Sequence, residues 1–92
     1  MVTLTENAIG VIRQLTDRHG VPAGAGVRFA NGSNQGTLAV DVTEQPHDGD
    51  EVVDTSGVRL FLDGMAARIL DGKVLDASTV NGSVRFAITD GY

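Results

Sequence analysis

The residues with the means to do chemistry are gathered mainly in two loops. The stretch Glu44-Gln45-Pro46-His47-Asp48-Gly49-Asp50-Glu51 sets one imidazole among four carboxylates, donor types that suit a hard or borderline cation such as iron or zinc. A metal site also needs donors held so that they converge. This loop has no second histidine and no cysteine near it, so its plain reading is a solvated acidic turn. The stretch Asn31-Gly32-Ser33-Asn34-Gln35-Gly36 offers amides and a hydroxyl on a glycine-rich loop, which is chemistry for hydrogen bonding to a partner or ligand. Asn31, Ser33, Asn34 and Gln35 are its candidate interaction residues. The 92 residues include no cysteine, which removes disulfides, thiolate nucleophiles and soft-metal ligation together.

The remaining candidates carry less. His19 falls at the end of a helical pattern, where an imidazolium interacts favourably with the helix dipole, and that structural role accounts for it. Ser33, Ser56, Ser78 and Ser83 fall at turns or strand ends without a Gly-x-Ser-x-Gly elbow or a local acid-base partner, so serine catalysis has no support. Gly24-Ala25-Gly26 begins like a dinucleotide fingerprint, but Phe29 stands where the third glycine belongs and a strand follows where a helix must start. Arg59 and Arg68 read as surface ion-pair formers. No nucleophile and base are placed together, and the chain does not read as an enzyme.

The elements that must position these residues are legible from periodicity. Ala8, Ile12 and Leu15, with Ile9 and Val11 beside them, recur at helical spacing over Glu6 to His19 and leave Arg13, Gln14, Asp17 and Arg18 outward. Thr5 suits the N-cap, Glu6 the positive end of the dipole, and Gly20 with Pro22 the stop. From Gly26 the period becomes two. Val27 and Phe29 alternate with Arg28; Leu38, Val40 and Val42 with Ala39 and Asp41; Val58, Leu60 and Leu62 with Arg59 and Phe61; and Val84, Phe86 and Ile88 with Arg85 and Ala87. Glu51 to Asp54 adds a strand, and Asn81-Gly82 predicts a tight hairpin between Val74 to Thr79 and Ser83 to Thr89. Gly64 to Leu70 predicts a short helix capped by Asp63 and packed through Met65, Ala66, Ile69 and Leu70. The pattern predicts a mainly β (α+β) fold: a compact, two-layer antiparallel β-sandwich-like domain over residues 1–92, with an N-terminal helix and one short internal helix.

Composition narrows the function classes. A net charge of −5 with seven scattered basic residues excludes an electrostatic nucleic-acid binder. No apolar run approaches the roughly 20 residues that span a bilayer, and the start of the chain shows no signal-peptide pattern, so the expectation is a cytoplasmic protein with no membrane partner. A chain this short buries about 60 to 65 per cent of its unfolded surface. Pairing with a second copy would add core, and a homodimer is expected.

Four segments in order also carry a family resemblance: Leu4-Thr5-Glu6-Asn7-Ala8, Gly49-Asp50-Glu51-Val52, Gly57-Val58-Arg59-Leu60-Phe61-Leu62-Asp63 and Leu70-Asp71-Gly72-Lys73-Val74-Leu75-Asp76. Together they resemble the HesB/IscA-like family, the A-type carriers of iron-sulfur cluster biogenesis. The resemblance covers nearly the whole chain and implies a β-sandwich-like fold. It also implies three cysteine ligands per subunit, one in the glycine-rich loop and a Cys-Gly-Cys pair near the C-terminus. Here Asn34 or a neighbour takes the place of the loop cysteine, and Asp90-Gly91-Tyr92 precedes where the pair would begin. Neutral amides and hydroxyls are poor substitutes for thiolates on iron. The expectation is therefore a cysteine-free, non-catalytic member without a cofactor, acting as a binding or adaptor protein, with a protein partner that the resemblance points to among the iron-sulfur assembly machinery. The alternative is a carrier of iron or zinc using His47 and carboxylates.

Overall fold

A computed structural model describes residues 2–18, 20, 24–32 and 38–90. In chain order the elements are β1 (Thr3–Leu4), α1 (Glu6–Arg18), β2 (Gly26–Asn31), β3 (Leu38–Thr43), β4 (Glu51–Thr55), β5 (Val58–Leu62), α2 (Gly64–Leu70), β6 (Lys73–Val80) and β7 (Ser83–Asp90). The fold is mainly β, with two sheets and two helices around a shared core.

Both helices start on the predicted caps. The Ala8 N–H donates to Thr5 Oγ1 at 3.1 Å and the Ala66 N–H to Asp63 Oδ1 at 2.8 Å, each satisfying an orphan donor of the first turn. Thr5 does more than cap. Its hydroxyl donates to Asp76 Oδ1 at 2.6 Å and its N–H to the Leu75 carbonyl at 3.0 Å, so the start of α1 is tied to β6.

The two strand turns are two-residue loops with both residues at positive φ, 52° and 80° at Ser56-Gly57 and 52° and 79° at Asn81-Gly82. That is the type I′ geometry whose twist matches the flanking strands. Ser56 is an unfavourable residue for it, and Arg13 Nη2 donates to the Ser56 carbonyl at 2.9 Å, holding the turn against α1.

One sheet has the order β1-β6-β7 and the other β3-β2-β5-β4. The pairs β2–β3, β4–β5 and β6–β7 are antiparallel, as expected, but β1–β6 and β2–β5 pair parallel. At the β2–β5 pairing the backbones approach closely: a Cβ on Gly26 would lie 2.4 Å from the Arg59 carbonyl oxygen.

The inner faces and both helices bury Ile12, Val27, Phe29, Leu60, Leu62, Ala66, Leu70 and Leu75, all at most 1% exposed. Two inward-outward expectations are corrected. Phe61 is fully buried although it alternates with Leu60 and Leu62 along β5, which is flanked by β2 and β4. Met65 is 39% exposed, and α2 packs instead through Ala66 and Leu70 with Ala67 half-buried beside them.

Candidate functional site

Three features remain once the core is assembled. The first is a groove of about 520 Å³ between the sheets, walled by Leu38, Val40, Asp41 and Val42 of β3 and by Val84, Phe86 and Ile88 of β7, with Leu15, Phe29 and Leu75 also lining it. Its walls are the inner faces of two strands, each at the edge of its sheet. Val40 and Ile88 keep 41% and 39% of their surface exposed, more than a closed core would leave. The rings of Phe29 and Phe86 meet across it. The sequence marked these positions as apolar strand faces but not as facing one another, because alternation names a face and not its neighbour in another sheet.

The second feature is the β2–β3 hairpin. Asn31 pairs with Leu38 at its open end, so the chain leaving β2 returns at the rim of the groove. Ser33, Asn34, Gln35 and Gly36 lie outside the described residues, as does the Asn31 side chain.

The third is the acidic loop, and here the structure assigns a role. Arg28 grips Asp50 with two hydrogen bonds, Nε to Oδ2 at 2.7 Å and Nη2 to Oδ1 at 2.9 Å. The Asp50 side chain is 1% exposed and that of Arg28 18%. The His47 N–H adds a hydrogen bond to Asp50 Oδ2 at 2.9 Å, and the Asp50 N–H donates back to the His47 carbonyl at 3.0 Å. Gly49 at φ 84° closes this turn. The Arg28 guanidinium, then the His47 N–H, hold the Asp50 carboxyl below the usual carboxylate range against the opposing effect of burial. Asp50 is thus a structural anchor. Among the described residues no three His, Asp or Glu side chains converge as metal ligands.

The other sequence candidates are accounted for as follows. Arg59 makes a bidentate pair with Asp54, 2.7 and 3.1 Å, and reaches the Gly24 carbonyl at 3.2 Å. Arg68 is exposed in the last turn of α2. Ser56, Ser78 and Ser83 are exposed. His19 lies outside the described residues. No helix among the described residues is long and apolar enough to cross a membrane.

The chain is similar to a curated protein and to several solved structures. It is 32% identical over 78 residues, 83% of this chain and 73% of the relative, to an uncharacterized protein of the nifU 5′ region of Azotobacter vinelandii. Among solved structures it matches Escherichia coli SufA, described as involved in biosynthesis of iron-sulfur clusters, with a TM-score of 0.74 and 28% identity over 97% of this chain and 84% of SufA. IscA with a [2Fe-2S] cluster matches with a TM-score of 0.64 and 24% identity, covering 98% of this chain and 85% of IscA. An Aquifex aeolicus protein matches with a TM-score of 0.74 and 18% identity, covering 97% and 90%. These last two likenesses establish the fold alone. No family model matches the chain.

Proposed function

This chain belongs to the HesB/IscA-like family, and on that premise we propose that it keeps the fold of the A-type carriers without their cargo, acting as a cytoplasmic binding or adaptor protein. The observation that carries this reading is the complete absence of cysteine from the 92 residues. Iron-sulfur clusters are held by thiolates, whose anionic sulfur donates electron density to iron. The residues present do not fit such a group: the β2–β3 loop offers Asn31, Ser33, Asn34 and Gln35, neutral oxygen and nitrogen groups that hydrogen-bond but ligate iron weakly.

In this reading the loop makes a protein contact. Amides bind a partner without burying an unpaired charge, and loops carried by a rigid scaffold are common binding sites. The partner belongs to the iron-sulfur assembly machinery, a reading supported by the likeness to SufA. The protein is not an enzyme, and a second copy completes its assembly.

The test is affinity capture from native cells, comparing the unaltered chain with an Asn34→Ala, Gln35→Ala double variant. The expected result is recovery of iron-sulfur assembly proteins that falls several-fold in the double variant while the melting temperature stays put, as surface substitutions usually allow. Equal recovery by both proteins would remove the loop from the binding surface. Capture free of assembly proteins would end the proposed partner class.

A further inference from the structure

The segment between β3 and β4 is fastened to the rest of the fold through one side chain. Residues 44–49 are all exposed. At the start of the segment the Thr43 hydroxyl donates to the Gln45 carbonyl at 2.6 Å, a local bond at the end of β3. The bonds between His47 and Asp50 are internal to the turn. Beyond these, among the described residues, the only hydrogen bonds from residues 44–50 to another element are the two that Arg28 of β2 donates to the Asp50 carboxylate. An exposed backbone with few buried contacts is the kind of segment that opens by itself while the rest of a fold stays shut.

That fastening lies on the side of the sheet opposite to the core. Val52, Phe61 and Arg28 stand level across β4, β5 and β2, and one residue along so do Val53, Leu60 and Val27. Successive side chains of a strand point to opposite faces. Val53, Leu60 and Val27 belong to the main core cluster, so Val52, Phe61 and Arg28 share the other face. Phe61 is fully buried there, outside that cluster, and its two neighbours differ: Val52 is exposed, whereas Arg28 is half-buried and drawn to Asp50.

We propose that residues 44–50 form a strap that opens while both sheets stay folded, with the Asp50–Arg28 pair as its latch, and that opening frees the Arg28 side chain and uncovers Phe61 beside Val52. Closed, the strap keeps an aromatic ring and most of a guanidinium out of water. Open, it presents both on one sheet face next to an exposed valine. The latch is firm because its two hydrogen bonds are charge-assisted and share the planar fork of one guanidinium. It is also single, so a change at Asp50 alone shifts the balance between the two states. This inference rests on the geometry around Arg28 and Asp50 and not on the adaptor reading.

Native-state hydrogen exchange on the full chain tests it. An opening that spares the sheets exposes little new surface and responds weakly to urea, whereas global unfolding responds steeply. At pH 7, in urea below the unfolding transition, the His47 and Asp50 amides should exchange at rates that urea hardly changes, and the Leu60 amide at a rate that climbs with urea. Rates that climb together at all three positions would overturn the proposal, because the strap would then open only with the whole fold. Asp50→Asn should keep the circular dichroism of the folded chain and bind more of an apolar fluorescent dye than the unaltered protein does. Asp48→Asn, on the same segment but outside the latch, should bind no more than the unaltered protein. A folded Asp50→Asn chain with no gain in dye binding would also overturn the proposal, since Phe61 would stay covered without the latch. If Asp50→Asn does not fold, the exchange rates of the unaltered chain decide the matter alone.

Discussion

The rings of Phe29 and Phe86 meet edge to face, their centroids 5.2 Å apart and their planes at 81°. Phe29 is in β2 and Phe86 in β7, so this contact joins one sheet to the other at the base of the groove. The geometry sets the positive edge of one ring against the negative face of its neighbour.

Phe29 is 1% exposed, whereas Phe86 is half-buried. Phe29→Ala should therefore cost about 3–5 kcal/mol, with Phe86→Ala costing less. A double-mutant cycle in urea should return a coupling of about 0.5–1.5 kcal/mol beyond the area lost. Strict additivity would mean that the rings only share a neighbourhood.

Stability should fall in acid, and Asp50 should supply much of the slope. Its folded carboxyl titrates below the ordinary 3.8 because Arg28 and the His47 N–H favour the anion. The unfolded chain takes up the proton first as pH falls, so the stabilisation is fully present above about pH 4 and is lost as pH drops through the lower folded value. Asp76, held down by the Thr5 hydroxyl and the Ala77 N–H, adds in the same direction. Asp50→Asn should cost on the order of 2 kcal/mol at pH 7 and flatten the acid limb of a urea-midpoint titration. An unchanged limb would assign the acid dependence to other carboxylates.

Two glycines should respond in opposite directions to the same change. Gly26→Ala forces a Cβ to within 2.4 Å of the Arg59 carbonyl oxygen, so β2 and β5 must part, at about 1–3 kcal/mol or more. Gly10 lies within α1 with nothing inside 4 Å of an added Cβ. Gly10→Ala should raise stability by about 0.5–1 kcal/mol. Thermal melts of the two single variants decide both.

Anaerobic reconstitution with iron and sulfide should leave no visible charge-transfer absorption after desalting, since the chain supplies no thiolate. Melting curves with and without EDTA should superimpose, because the acidic loop is built on Arg28 and Asp50. A stable chromophore would overturn the reading of a cargo-free carrier fold. A drop in melting temperature with EDTA would return His47 and its neighbours to consideration as ligands.

Much of the local structure was legible in the sequence, because it rests on interactions between near neighbours. Thr5 and Asp63 as caps depend on a side chain reaching an N–H three residues on. Asn81-Gly82 forms its turn because those residues tolerate positive φ. Alternation along β2 correctly put Val27 and Phe29 inside, with the half-buried Arg28 between them. The absence of cysteine, the feature that most limits function, is a property of the sequence alone.

Tertiary structure decided the long-range pairings. The parallel pairings β1–β6 and β2–β5 join segments far apart in the chain, and periodicity states which face of a strand is apolar, not which strand lies beside it. The same holds for Phe61, which read as an outward residue and is fully buried, and for Asp50, one of four similar carboxylates until the approach of β2 gave it Arg28. The groove is decided at this level too, since Leu38, Val40 and Val42 become one of its walls only where Val84, Phe86 and Ile88 face them from the other sheet. Local pattern fixes the elements through short-range sterics and hydrogen bonds, while the site arises from packing between sheets, where the partner of a side chain is set by the whole chain's burial.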